Sequence, residues 1–441
     1  MKIPEILLVE TEHKPGSLAR VLQVVGEYGL LVENLNAVRR DQHRTVWELT
    51  LEFDEAVDTT LIDRIDGLPG TRVIGKSDRV FDRHRGGKIE MVAKVPLTSV
   101  QQLRDIYTPG VARVCLSIRD DPGRAREYTN IGNTVAVVTN GTAILGLGNI
   151  GPLAGLPVME GKAALFWHLA GISGVPILIA ETDPARLADI VAAIAPGFGA
   201  IQLEDIAAPA CFDVEDELRR RLDRPVLHDD QHATAVVTLA ALFRATRQIG
   251  RDLADCVVGQ IGLGAAGMGI AHLLLRKGVR ESLGTDVDER AYVRFESIGG
   301  RRSSLEEIMR VADIVIATTG RRNLIPPTAV RAGQIVLALT NPDPEIEPVV
   351  AIAHGAAVAA DGKSVNNVSV FPGLFRGALD ARAPRFSTAM LIAAAETLAA
   401  QAPEDQLVPD PLDRGAHRAV AEAVRRAAEE EAVLAAEATP A

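Results

Sequence analysis

The sequence predicts an α/β protein of three successive units, residues 1–84, 85–248 and 249–441. Three observations lead there. Short apolar runs rich in Val, Ile and Leu alternate with helix-length stretches along most of the 441 residues, the pattern of strands joined by packed helices. A polar, basic run from Asp82 to Lys88 interrupts that alternation and reads as a linker. A second run of alternation opens at Cys256, and its first turn is patterned with Gly262, Gly264 and Gly267. The length suits about three domains, and 47% hydrophobic residues is enough to give each one a core.

The first unit starts with the strand ILLVETE, then a helix from Pro15 to Tyr28 and the strands VENLNAVRR and HRTVWELTLEF. The last of these alternates apolar and polar residues, as a half-buried strand does. A helix near Asp58 to Leu68 and a strand TRVIGKSDRVF complete the order βαββαβ, that of a ferredoxin-like module. The turn from His13 to Leu18, HKPGSL, resembles the first strand-to-helix turn of ACT domains, modules that sense amino acids or related metabolites. Gly16 would let backbone amides at a helix start face a ligand carboxylate; without a ligand it only closes a tight turn in a module that dimerises.

In the second unit the strands are TVAVVT, VPILIAE, GAIQLE and PVLHD, each followed by a helical stretch, which predicts parallel strands. Two of them end in paired acids, Glu204-Asp205 and Asp229-Asp230. The carboxyl ends of parallel strands share one edge, so these acids can meet there. Carboxylates gathered in one crevice repel unless a divalent cation neutralises them, and all-oxygen ligation suits Mg2+ or Mn2+. The plainer alternative is that the acids cap the helices that follow. Lysine is scarce in the chain, and between Lys94 and Lys277 only Lys162 occurs, in the glycine-flanked run GPLAGLPVMEGKAALF. A chain that otherwise uses arginine keeps lysine where a group must deprotonate, and burial near a metal would lower its pKa toward that of a base. The alternative is a surface lysine lying along apolar neighbours.

The third unit has strands CVVGQI, SLGTD, DIVIATT and QIVLALT, and an amphipathic helix rich in Ala and Glu beyond about Ala416. Gly262-Leu-Gly264-Ala265-Ala266-Gly267 sits between a strand and a helix, and Asp286 lies nineteen residues beyond the third glycine at the end of the next strand. That context predicts a Rossmann-type dinucleotide site: glycines admit the pyrophosphate to the helix amides, and the acid holds the adenosine ribose. Asp286, Asp288 and Glu289 would repel a 2'-phosphate, so NAD is expected over NADP. Read without a ligand, Asp286 is an ordinary turn acid.

A net charge of -11 with no basic cluster to offset it excludes nucleic acid as a partner. The opening MKIPEILLVETEH is too short in apolar run for a secretory signal. The longest apolar stretch, Ala163 to Ala180, carries His168, Gly171, Gly174 and Pro176 and reads as a buried helix and strand, so no membrane segment is expected. Cys115, Cys211 and Cys256 have no metal or disulfide spacing and read as small buried hydrophobes of a reducing, cytoplasmic protein.

From about Leu103 to Arg382 the chain resembles bacterial malic enzymes. The resemblance rests on Tyr107-Thr-Pro-Gly-Val111, Tyr128-Thr-Asn-Ile-Gly132, the run from Leu145 to Phe166, Leu203-Glu-Asp-Ile206, HDDQH at 228–232, NPDPE at 341–345 and VNNVSVFPG at 365–373. It implies oxidative decarboxylation of L-malate to pyruvate with NAD and a divalent metal. It makes Tyr107 the general acid, Lys162 the general base and Asp229 the lysine's proton-relay partner. It makes Glu204, Asp205 and Asp230 the metal ligands, and it places Asn341 and Asn367 against substrate or the nicotinamide. Taken without it, a tyrosine before Thr-Pro-Gly is a residue packed at a turn. Ala143 offers no arginine for the substrate carboxylate, which leaves that group unassigned. The resemblance also implies a homodimer or a dimer of dimers. Other readings are a different metal-assisted 2-hydroxy-acid dehydrogenase, a malolactic-type activity, an amino-acid dehydrogenase, which would not need the carboxylates, and a metabolite sensor with a silenced enzyme body.

Overall fold

The computed structural model describes residues 3–53, 59–77 and 79–437, arranged as two compact units, Met1–Lys88 and Ile89–Ala441. In the first unit the elements are β1 (Ile3–Glu12), α1 (Ser17–Glu27), β2 (Val32–Arg40), β3 (Arg44–Phe53), α2 (Thr59–Asp66) and β4 (Thr71–Lys76). The strands form an antiparallel sheet in the order β2-β3-β1-β4. Alternate residues Leu7, Val9, Leu49 and Leu51 share one face of this sheet, and Val21 and Val25 of α1 with Leu61 and Ile65 of α2, each pair four apart, close over it.

Two sequence expectations shift here. Helix α1 starts at Ser17, because Gly16 takes a left-handed φ of 83° that ends the turn before the helix begins. The segment TRVIGKSDRVF is not one strand: pairing stops at Lys76, and Arg79–His84 forms a short helix, α3, which takes in the first residues of the expected linker. The Ser77 hydroxyl accepts from the Arg79 amide and the Arg79 guanidinium bonds Glu48, so local capping outweighs the strand pattern.

The second unit contains two parallel sheets. The first holds β5 (Thr134–Thr139), β6 (Ser173–Leu178), β7 (Ala200–Leu203) and β8 (Val226–His228), in the order β6-β5-β7-β8. The second holds β9 (Val257–Ile261), β10 (Glu281–Thr285), β11 (Arg301–Arg302), β12 (Ile314–Ala317), β13 (Ile335–Ala338) and β14 (Val358–Asp361). Its order, β11-β10-β9-β12-β13-β14, is that of a Rossmann-type sheet. Its two edge strands have no sequence signal: β11 is two exposed arginines, and β14 reads Val-Ala-Ala-Asp.

Ahead of the first sheet lie α4 (Val100–Ile106) and α5 (Val111–Asp120), on whose helical residues no side chain is buried. The long helices are α6 (Pro152–Ala170), α7 (Pro184–Ile194), α8 (Ala210–Arg221), α9 (Asp229–Gln248), α10 (Ala265–Lys277), α11 (Phe371–Asp380), α12 (Thr388–Gln401) and α13 (Arg414–Glu437). Helix α6, apolar around its circumference, is buried through Met159, Ala163 and Phe166, and Phe166 meets Phe371 and Phe375 edge-on at 4.9 and 5.3 Å. Helices α9 and α10 touch closely because Gly269 has no side chain: a Cβ there would lie 2.2 Å from the Gln231 carbonyl oxygen. This contact sets the glycine turn of the second sheet beside the acidic start of α9. Among the described residues no helix is long and apolar enough to cross a membrane.

Candidate active site

Strands β7 and β8 pair in parallel with Leu203 beside His228, so the residues just past their carboxyl ends, Glu204-Asp205 and Asp229-Asp230, emerge side by side. One carboxylate oxygen from each of Glu204, Asp229 and Asp230 lies within 4.8 Å of the others. Helix α6 brings Lys162 into this group. Its Nζ lies 2.6 Å from Asp229 Oδ2, 3.0 Å from Glu204 Oε1 and 4.5 Å from the centre of the Phe371 ring. The Asn367 amide also donates to Asp229 Oδ2, at 2.6 Å. Lys162 is 8% exposed, Glu204 3% and Asp229 0%, so the group is nearly dry. Although Asp229 and Asp230 stand in the first turn of α9, neither accepts a capping bond there; their oxygens face the crevice instead.

Burial raises the pKa of the Glu204 and Asp229 carboxyls, and Lys162 only partly offsets that. Burial also works to lower Lys162, but Asp229 and Glu204 outweigh it and hold the ammonium protonated beyond its ordinary range. The expected lowering belongs to burial near a metal, whose charge would offset those carboxylates; facing them alone, Lys162 stays an ammonium. One feature marks the crevice as fit for a cation: Asp229 Oδ1 is buried with no hydrogen-bond partner, in a donor set made only of carboxylate oxygens.

A cavity of about 480 Å³ opens above the group, and Asp205, Thr340, Asn341 and Asn367 line it with Lys162, Glu204 and Asp230. Asp205 is thus at the cavity but outside the cluster of three; its backbone has a left-handed φ of 54°, and its amide donates to Asp230 Oδ2 at 3.3 Å. Asn341 donates to the Gly362 carbonyl at 3.0 Å. Lys162 is the only cationic side chain among the cavity's lining residues, with amides and hydroxyls facing it from the second sheet.

The glycine turn borders this cavity through Ala266 and a second one, of about 620 Å³, through Gly264 and Asp286. Gly262 has a φ of 90°, and a Cβ on Gly267 would lie 1.9 Å from the Gly262 carbonyl oxygen, so neither position admits a side chain. A Cβ on Gly264 would meet nothing, which leaves open space before the first turn of α10, where Ala265 stands. Asp286 is held facing the turn: its oxygens accept from the Leu263 and Asp288 amides at 2.6 and 2.8 Å.

Tyr107 is elsewhere. It caps the end of α4, is 66% exposed and is not among the cavity's lining residues. Two buried acids that positional reasoning passed over support the crevice from behind. Glu215 of α8 accepts from the His228 amide at 3.0 Å, Gln231 at 3.2 Å and His232 at 2.8 Å. Its signal was its place on the apolar face of α8, four residues after Cys211 and three before Leu218. Glu345, fully buried, ties the turns after β12 and β13 by accepting from the Thr319 amide at 2.6 Å and the Thr340 hydroxyl at 2.5 Å.

Over residues 86–219 the chain matches the family description "Malic enzyme, N-terminal domain" and over 232–299 "Malic enzyme, NAD binding domain". It is 51% identical over 425 residues to NAD-dependent malic enzyme 1 of Bacillus subtilis, covering 96% of this chain and 97% of that one. The chain belongs to the malic enzyme family. The NAD-dependent malic enzyme of Geobacillus stearothermophilus is 40% identical, with 89% of this chain and 86% of that one covered. The crystal structure of the malic enzyme from Pyrococcus horikoshii superposes with a TM-score of 0.76 at 39% identity, over 81% of this chain and 91% of that chain. The first matched family region contains Lys162, Glu204 and Asp205, and the second contains the glycine turn and Asp286. Asp229, Asp230, Asn341 and Asn367 of this malic enzyme lie outside both, and the fold carries them to the same crevice.

Proposed function

We propose that this malic enzyme oxidises and decarboxylates L-malate to pyruvate and CO2 while reducing NAD, in the cytoplasm. What carries the reading is the buried set of Lys162, Asp229 and Glu204, with Asp230 beside it, in a cavity that shares a wall with the dinucleotide turn. Glu204, Asp205 and Asp230, the set the family resemblance implies, would hold Mg2+ or Mn2+; Asp229 Oδ2 is committed to Lys162 and Asn367, and only its unpaired Oδ1 is left for the cation. Gly262, Gly264, Ala265, Ala266 and Gly267 would receive the NAD pyrophosphate and Asp286 the ribose, with Asn341 toward the nicotinamide. When bound, the cation offsets the carboxylate charge and polarises the substrate's hydroxyl and later its carbonyl, and NAD takes up the hydride.

The chain's own groups handle the protons. Lys162 Nζ, once relieved of that surplus negative charge, passes its proton to Asp229 Oδ2 beside it and, as the neutral amine, accepts the proton of the malate hydroxyl. Asn367 fixes Asp229 by its amide, and Asn341 and Asn367 offer donors to the substrate carboxylate in a cavity without arginine. Phe371 over Nζ keeps bulk water away from the base. Tyr107 returns a proton to the enol carbon after CO2 has left.

Tyr107 is exposed and absent from the wall of its own chain's cavity, so we place it in the crevice of a second copy and include a homodimer in the proposal. Helices α4 and α5 and the segment before them expose Met91, Val92, Val95, Leu97, Val100 and Tyr107, an apolar face suited to a second copy. The three-part division at 84/85 and 248/249 belongs to the same reading, with the first unit as an ACT-like ferredoxin module that senses an amino acid or related metabolite. Its β2-β3-β1-β4 order and left-handed Gly16 support that assignment.

The test is NADH formation from L-malate by the full chain with Mn2+, with chelator, and with NADP in place of NAD. Metal-dependent NADH with pyruvate as product is expected. Lactate as product would favour the malolactic reading, and unaltered turnover in chelator would remove the metal from the proposal.

A further inference from the structure

Strand β7 is buried along its whole length between β5 and β8, and Gln202 is its one polar residue. The side chain shares a sheet face with Ala200, and its neighbours in register are Val137 of β5 and Leu227 of β8. All three belong to the apolar core that also takes in Met159 and Phe166 of α6. Gln202 is 0% exposed. A buried amide costs free energy unless its hydrogen bonds are made, and here only one is. Nε2 donates to Glu204 Oε2 at 2.5 Å, while Oε1 is buried without a partner.

Two other glutamines share that full burial among the described residues, and their bonds differ in kind. Gln334 donates to the Met309 and Ala312 carbonyls, and Gln260 to the Gly262 carbonyl and the Thr318 hydroxyl. Those bonds tie chain segments to the second sheet. Of the three, Gln202 alone spends its amide on a carboxylate, and that carboxylate faces Lys162 through its other oxygen, Oε1, at 3.0 Å. Glu204 is thus gripped at both oxygens, one by a charge and one by a neutral N–H.

The kind of donor matters. Gln202 stands two residues before Glu204, so the strand period sets both side chains on one face. A cationic side chain there would cancel part of the negative charge that suits the crevice to a divalent ion, whereas the amide satisfies Oε2 and leaves that charge in place. With no donor there, Lys162 would draw both oxygens of Glu204 onto its ammonium.

We propose that Gln202 is a positioning residue: it holds Glu204 so that Lys162 takes one oxygen only, and so keeps Glu204 available to a divalent cation. The inference rests on the reading of the crevice as a Mg2+ or Mn2+ site. Hydrogen-bonded neighbours of a metal-ligating carboxylate fix its orientation, and loss of one commonly weakens metal binding about tenfold or more.

The experiment uses the full chain without malate. Free Mn2+ is counted from its electron paramagnetic resonance signal, and NADH affinity is read by fluorescence titration of the same preparations. Gln202→Met removes the N–H at nearly unchanged volume, Gln202→Asn keeps an amide one methylene short of Glu204, and Asp230→Ala locates the ion. Mn2+ binding about tenfold or more weaker in Gln202→Met and in Gln202→Asn, with NADH affinity unchanged, is expected. Mn2+ affinity equal to that of the unaltered protein in either folded variant overturns the inference. So does NADH affinity that falls in step with Mn2+, since that marks a disturbed sheet rather than a misplaced carboxylate. Mn2+ binding that survives Asp230→Ala would overturn the cation reading of the crevice itself, and this inference with it.

Discussion

Lys162 shows how one side chain's chemistry depends on its facing groups. Burial alone would strip its proton, yet Asp229 and Glu204 at 2.6 and 3.0 Å keep it charged. In the proposed reaction it becomes a base only as Glu204 is engaged by the cation and Asp229 takes up its proton. Lys162→Ala should therefore lower the rate of NADH formation from malate by about a hundredfold or more, as loss of a general base does; turnover near the unaltered rate would remove Lys162 from that role. Glu215 illustrates the opposite balance. Burial pushes its carboxyl up, but His232 facing it, helped by Arg219, brings it below its ordinary value. A lowered carboxyl contributes stability that is fully present above the unfolded value of about 4.3 and is lost as pH falls through the folded value. Glu215→Gln should flatten the acid limb of a urea-midpoint profile. It should also cost about 1–3 kcal/mol near neutral pH, because the buried His228 amide loses a charged acceptor. An unchanged acid limb would show that Glu215 does not titrate in folding.

Helices place those side chains, and two contacts decide where the helices lie. The α9–α10 approach depends on Gly269, whose Cβ would sit 2.2 Å from a backbone carbonyl. Gly269→Val should force the two helices apart at a cost of about 1–3 kcal/mol, read as a lowered urea midpoint. It should also raise KM for NAD and malate together, because the shift moves the glycine turn away from the acidic start of α9. A rise in KM for one alone would show that the contact does not join the two halves of the crevice. Many of these elements were legible: every strand named in the two parallel sheets forms, because Val- and Ile-rich runs buried on both faces have few other solutions. The two edge strands were not legible, since an edge needs little apolar surface, and α3 replaced the end of a strand once Ser77 could cap it.

For the whole chain, the open question of the site is the exposed Tyr107. If Tyr107 serves a second copy, Lys162→Ala and Tyr107→Phe are separately impaired, while a mixture of the two after subunit exchange regains activity in hybrids, where one crevice has both residues intact. No recovery in demonstrated hybrids would place the tyrosine's partner within its own chain or dismiss it from catalysis. The first unit is tested independently by deleting residues 1–84: an ACT-like regulator predicts that the truncated enzyme keeps malate turnover and loses its response to an effector amino acid. Kinetics that never respond to any amino acid in either form would leave that unit without the proposed role.

Residue pattern was sufficient for the parallel strands, the dinucleotide turn and the acids at strand ends, because each depends on neighbours close in the chain: side-chain period, glycine at a tight turn, a carboxylate after a strand. It could not say which acid would face the lysine. Asp229 meets Lys162 across sixty-seven positions and Asn367 across one hundred and thirty-eight. Nor could it reveal that the lysine stays protonated or that Tyr107 lies outside its own cavity. Those outcomes depend on distances between elements far apart in sequence, and electrostatic balance in a dry interior changes sign with such distances.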